Sequence, residues 1–189
     1  MKKYLVKLKS VTELVANTPQ KEIFDELKAL PKDQLNEWEE NEKNWRRKAE
    51  RDKKGNVILP PRWFKTSFTD ACKYTRMVPH FATSKKETYT RYSDSLIFSD
   101  TTFLCSMEST KYYGAFVGAQ GKNSKTKRWC VRPMVEKWET DLTIIDPFGR
   151  MKIEELQELL EYSGMLLGVG DARKLNYGRF KVVSIKEIK

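Results

Sequence analysis

The sequence predicts an α+β domain with a ferredoxin-like order of elements, and three observations carry that expectation. Residues 4–8 put Tyr4, Val6 and Leu8 at every second position with Lys7 between the last two, the period of a half-buried strand. Helical stripes follow at Trp63, Phe64, Phe68, Ala71, Cys72 and Thr75, and again at Ile153, Leu156, Leu159 and Leu160. Aromatic and β-branched segments lie between and after them. The order is therefore strand, helix, strands, helix, strand.

Taken along the chain, residues 10–19 continue extended from the first strand into a turn. Residues 20–30 place Ile23, Phe24, Leu27 and Leu30 on one helical stripe that Pro31 stops. Residues 32–54 form an extra charged helix with a thin seam of Leu35, Trp38, Trp45 and Ala49, ended by Gly55. Glu39–Lys43, Glu42–Arg46 and Glu50–Lys54 stand four apart in the favourable order. That pattern suits a projecting or lightly docked helix. Asn56 opens a short extended run into Pro60-Pro61, and Pro61 suits the first position of a helix. Residues 85–117 have strand-and-hairpin composition, and residues 126–135 and 139–145 read as a second paired region around Lys137-Trp138. A turn at residues 146–149 precedes the clearest helix, residues 152–163, with Glu154 and Glu155 at its N-terminal end and Gly164 as its stop. A last strand covers residues 180–185.

The 189 residues suffice for one domain with a core, or for one domain with a sizeable insertion. Thirty-six Lys and Arg against 26 Asp and Glu give a net charge of +10, a surplus suited to a polyanion. No apolar run has the roughly 20 residues of a membrane span, and the N-terminus reads as a strand rather than a signal peptide. Cys72, Cys105 and Cys130 are scattered, with no CxxC pair, which fits a reduced cytoplasmic setting. The single histidine, His80, argues against zinc sites and histidine-based hydrolases and reads as an ordinary loop residue. Asp70, Asp94, Asp100, Asp141, Asp146 and Asp171 are dispersed, and neither a phosphate-binding GxxxxGK[ST] nor a GxSxG occurs. No catalytic residue, metal site or cofactor is expected.

Three constellations point to nucleic acid. The first is GVGDARKLNYGRF, residues 168–180, where Gly168, Gly170 and Gly178 allow positive backbone torsion and close approach of another backbone. Arg173, Lys174, Tyr177 and Arg179 supply cations and an aromatic face suited to phosphate oxygens. The glycines follow a helix and precede a strand, the reverse of a dinucleotide-binding turn. The same loop also reads as a tight connection in which Asp171 pairs with Arg173, and the two readings are compatible. The second is residues 109–135, free of Asp and Glu, with Lys111, Lys122, Lys125, Lys127, Arg128 and Arg132 among Tyr112, Tyr113, Phe116 and Trp129. Lysines on such a hairpin follow phosphates while aromatics stack on bases. The third is the start of the first long helix, with Arg62, Lys65 and neighbouring hydroxyls.

Three segments together carry a family resemblance: ILPPRWFKTSFTDACKY, RPMVEKWETDLTI, and ELQELLEYSGMLLGVGDARKLNYGRFKV at the C-terminal end. They resemble the RAMP superfamily and are similar to backbone subunits of CRISPR effector complexes and to uncharacterised phage proteins of that fold. The resemblance covers the chain from Asn56 onward and the first strand. It implies one domain over residues 1–189, with a helical insertion at 19–55 and a hairpin insertion at 85–135. It also implies self-association into a filament or ring, and single-stranded RNA held by sequence-independent backbone contacts. The implied RNA-facing residues are Arg62, Lys65, Arg173, Lys174 and Arg179, with residues 118–128 as a projecting thumb-like element. The chain departs from the pattern in its short length, in the segment 32–54, and in offering no aspartate that matches the RNA-cutting one of some relatives. The expectation is a non-catalytic protein that binds single-stranded nucleic acid, RNA or DNA. A phage-encoded mimic docking on CRISPR effector proteins through Trp38 and Trp45, and a metal-dependent nuclease, stay open beside it.

Overall fold

The computed structural model describes residues 1–18, 20–74, 94–99, 103–104, 109–117 and 127–188, with the backbone alone at 74, 103–104, 109–117 and 127–129. In chain order the elements are β1 (Lys2–Ser10), β2 (Leu14–Val15), α1 (Lys21–Ala29), α2 (Leu35–Glu40), α3 (Glu42–Arg46) and α4 (Pro61–Tyr74). There follow β3 (Ile97–Ser99), β4 (Phe103–Leu104), β5 (Ser109–Val117), β6 (Lys127–Val135), β7 (Glu139–Asp146), α5 (Ile153–Tyr162) and β8 (Phe180–Ile188). The fold is α+β. His80 and the expected hairpin tip with Lys122 and Lys125 lie outside the described residues.

The larger sheet runs β3–β7–β1–β8, with β4 also on β7. β1 lies antiparallel between β7 and β8. The alternation read from the sequence decides which side is covered. Tyr4, Val6 and Leu8 of β1 and Leu142 and Ile144 of β7 are buried, while Lys7, Lys9, Glu139 and Asp141 are exposed. Against the buried side pack α4, through Phe64 and Phe68, and α5, through Leu156, Leu159 and Leu160. Phe64, Trp138 and Phe180 form an aromatic triad with ring centroids 5.8–6.2 Å apart in edge and tilted geometries. The Tyr4 hydroxyl donates to the Met151 carbonyl at 2.9 Å, so this buried polar group is satisfied.

The smaller sheet runs β2–β6–β5, and this corrects the expected pairing of residues 126–135 with 139–145. β6 pairs with β5 and β2, whereas β7 pairs with β1, β3 and β4. The cause is Trp138. Its buried ring is anchored by Ser10 at both backbone groups: the Trp138 N–H donates to Ser10 Oγ at 3.0 Å, and its carbonyl accepts from the Ser10 N–H at 2.8 Å. The chain therefore changes sheets at that point instead of turning back on itself.

The charged segment is two short helices. Asn41 takes an extended ψ of 122° and caps α3 by accepting from the Lys43 N–H at 3.0 Å. Trp45 is buried, and of the proposed pairs Glu42–Arg46 forms at 3.3 Å, while Glu50 reaches Arg62 at 3.5 Å instead of Lys54. Glu39 and Lys48 form a buried ion pair with each other. Both also bind one residue of the β6 edge: the Val131 N–H donates to Glu39 at 2.8 Å, and Lys48 donates to the Val131 carbonyl at 2.8 Å. The segment is thus clamped to the smaller sheet rather than projecting. In α1 the stripe is thinner than expected, with Ile23 buried and Phe24 53% exposed.

Candidate nucleic-acid interface

Helix α5 does not stop at Gly164. It widens into a further turn over Ser163–Leu167, closed by the Gly168 N–H donating to the Ser163 carbonyl at 2.8 Å. Gly164 instead gives room: a Cβ there would collide with the Phe180 backbone and ring. The turn ends at Gly168, with φ of 71°.

The glycine loop that follows is stitched to the start of the chain. The Asp171 N–H donates to the Val15 carbonyl at 2.8 Å, and the Gly178 N–H to the Glu13 carbonyl at 2.6 Å. Val169 N–H closes the loop on the Gly178 carbonyl at 2.9 Å. A Cβ on Gly178 would fall on the carbonyl oxygen of Val169, which explains the glycine at this close approach. Thr12 Oγ1 donates to the Asn176 carbonyl at 2.8 Å and accepts from the Arg179 N–H at 3.0 Å. Much of the loop backbone is thereby committed internally. What it presents outward is chiefly side-chain charge.

Asp171 is the internal hub of this loop. It accepts from Asn17 at 3.1 Å and from the Ala172 N–H at 2.8 Å, and it pairs with Arg132 of β6, whose side chain is 10% exposed. Its partner is Arg132, and Arg173 faces Asp70 of α4 at 3.8 Å instead. Asp70 also has Lys73 at 3.4 Å. The loop therefore meets α4 in its third turn. The helix start at Arg62 lies about 12 Å further along the axis, from a rise of ~1.5 Å per residue.

The loop cations differ in how they are held. Lys174 is exposed, with no ion pair or hydrogen bond among the described residues. Tyr177 is half-buried. Arg179 donates through Nη2 to Asn176 Oδ1 at 3.0 Å, and its Nη1 is buried without a hydrogen-bond partner. Burial, and then the neighbouring charge of Arg173, hold the Arg179 pKa below its ordinary value. Arg179 thus feels the charge of Arg173, which faces Asp70, while no carboxylate pairs with Arg179 itself among the described residues.

The other expected residues are placed apart from this pair. Arg62 is exposed at the head of α4 beside Glu50. Lys65 donates to the Leu96 carbonyl at 2.7 Å and lies 5.6 Å from the Phe98 ring centroid, and burial lowers its pKa. Lys127 and Arg128 stand in register with Val117 and Phe116 on the β5–β6 ladder. Sequence reading placed Asp171 in the loop but gave it Arg173 as its partner in place of Arg132, and it missed the parts played by Asn17, Thr12 and Asp70, because their partners are distant in the chain.

No protein-family model matches the chain, and no curated protein matches it. Among solved structures, a chain from the cryo-EM structure of the Type III-B Cmr-beta bound to cognate target RNA is similar to it, with a TM-score of 0.50 at 10% identity. The match covers 100% of this chain and 61% of that one, so the present chain spans about three-fifths of its neighbour's length. The likeness is one of fold. No helix among the described residues is long and apolar enough to cross a membrane.

Proposed function

We propose that this chain is a RAMP-type, non-catalytic protein that binds single-stranded nucleic acid, RNA foremost, through its phosphates and self-associates as CRISPR backbone subunits do. The observation that carries the reading is Arg179, held beside Arg173 with a buried Nη1 that lacks a partner. Two like charges fixed this way are relieved by an anion, and an arginine fork matches phosphate geometry. Lys174 beside them adds an exposed cation. The net charge of +10 supplies the long-range attraction. The fold likeness to a chain of an RNA-bound complex supports the same reading. Docking on another protein through Trp38 and Trp45 is less favoured, because Trp45 is buried within the chain.

The test is fluorescence anisotropy with labelled single-stranded RNA and DNA of unrelated sequences, over a salt series. Substituting Arg173→Gln, Lys174→Gln and Arg179→Gln together should weaken binding to every sequence. It should also flatten the log–log salt dependence by about 2, from roughly 0.7 per phosphate contact. Unchanged affinity in the triple variant would refute the reading.

A further inference from the structure

The sheet register sorts another set of charges that the glycine loop does not use. Residues directly opposite in an antiparallel ladder share a face. The register places Lys3, Lys7 and Lys9 of β1 with Lys181 and Lys186 of β8 on the side of the larger sheet away from α4 and α5. Only Glu139 and Asp141 of β7 oppose them on that face among the described residues, leaving five cations against two anions. Lys9 takes Glu139 at 2.8 Å, yet Lys181 stands directly opposite Lys9, a like-charge pairing that calls for a further counter-charge. Lys3, Lys181 and Lys186 have no ion pair among the described residues. Leu5 lies within the face, and the irregularity in the β1–β8 register leaves Val183 56% exposed at its edge.

The complement is on the same chain. α5 carries Glu154, Glu155, Glu158 and Glu161 and no Lys or Arg. It buries Leu156, Leu159 and Leu160 in the core with Tyr4 and Val6, so its exposed Glu154 and Glu161 point away from the sheet. Just beyond it Met165 and Leu166 are 53% and 57% exposed, an apolar match for Leu5 and Val183.

We infer that the lysine face of the larger sheet receives the glutamate face of α5 from a second copy of this chain. The two faces lie on opposite sides of the molecule, and neither complements itself. The contact is therefore head to tail, and it repeats as an open stack. A nucleic-acid strand fits this face less well. No aromatic side chain lies on it among the described residues, and Glu139 and Asp141 would repel phosphates. The inference deepens the self-association in the reading above, and it is tested on protein stripped of nucleic acid, so that it and phosphate binding fail separately.

The experiment is sedimentation velocity on the nuclease-treated protein. The parent should form larger species in roughly 0.05 M salt and return to monomer by about 0.5 M, as the Debye length falls severalfold. A sheet variant, Lys181→Glu with Lys186→Glu, and a helix variant, Glu154→Lys with Glu161→Lys, should each associate at least about tenfold more weakly than the parent. Mixing them should restore association, because each variant keeps the face that the other has lost. Circular dichroism of both variants, and milder Gln substitutions at the same positions, separate lost contact from lost fold. A parent that stays monomeric in low salt would overturn the inference, as would folded variants that associate like the parent or a mixture that does not recover.

Discussion

Glu39→Gln removes one charge from the clamp that holds the charged segment to β6, and its cost can be worked from the burial of the pair. Both side chains are 5% exposed, and Lys48 lies against the Val131 carbonyl and Cys130. Glutamine still accepts the Val131 N–H but leaves the ammonium without its counter-charge. Breaking a buried pair in this way costs roughly 3–5 kcal/mol. In a chain of this length each kcal/mol lowers Tm by about 2–4 °C, so the shift expected is about 6–20 °C. Adding Lys48→Gln, which keeps a donor for the carbonyl and removes the orphaned charge, should return about 1–3 kcal/mol, since neutral replacements of buried pairs are often tolerated. Urea unfolding followed by circular dichroism, with the slope m unchanged, measures both. A loss under about 1 kcal/mol for Glu39→Gln would show that the ammonium is not desolvated and that the clamp reasoning is wrong.

Two further outcomes are expected. Gly178→Ala should cost about 2–5 kcal/mol, combining a positive φ with a collision against the Val169 backbone. Gly55→Ala, at φ of 86° with open space around it, should cost only about 1 kcal/mol, and the difference in thermal unfolding isolates the contact. Burial pushes the Cys72 thiol up to about 12, so mass spectrometry after iodoacetamide at neutral pH should find it unmodified in the native protein and alkylated once unfolded. Because the folded pKa is the higher one, this group's stabilising contribution is full below the unfolded value and is lost as pH rises towards 12. Ready alkylation of native Cys72 would contradict its placement.

What was legible in the sequence is what local periodicity encodes. The alternation of Tyr4, Val6 and Leu8 and the spacing of Leu156, Leu159 and Leu160 named core residues that are buried. Local periodicity cannot encode a partner far along the chain. Glu39 looked like one half of a surface pair with Lys43, and only Val131, 92 residues away, reveals its role. Asp171 looked like a partner for nearby Arg173, but Arg132 takes it. Strands β6 and β7 looked like a hairpin because only a short turn separates them, and the anchoring of Trp138 by Ser10 decides otherwise. At the interface, the glycines and cations were readable as residue types. Which cations were already engaged, as Lys65 is with Leu96, was not.

The position of β1 between β7 and β8 has a consequence for how the chain folds. Lys2 pairs with Asp146, and Ser10 with Phe180, so the first strand has no neighbour in the larger sheet until the distant end of the chain arrives. Closing such loops costs entropy before any contact rewards it, and non-local strand pairing is the slow class, with folding on the order of milliseconds to seconds. Until then Tyr4, Val6 and Leu8 have no strand on either side to share their burial, while Lys7 between them and Lys2, Lys3 and Lys9 at the flanks keep the waiting strand hydrated and discourage its pairing with other chains.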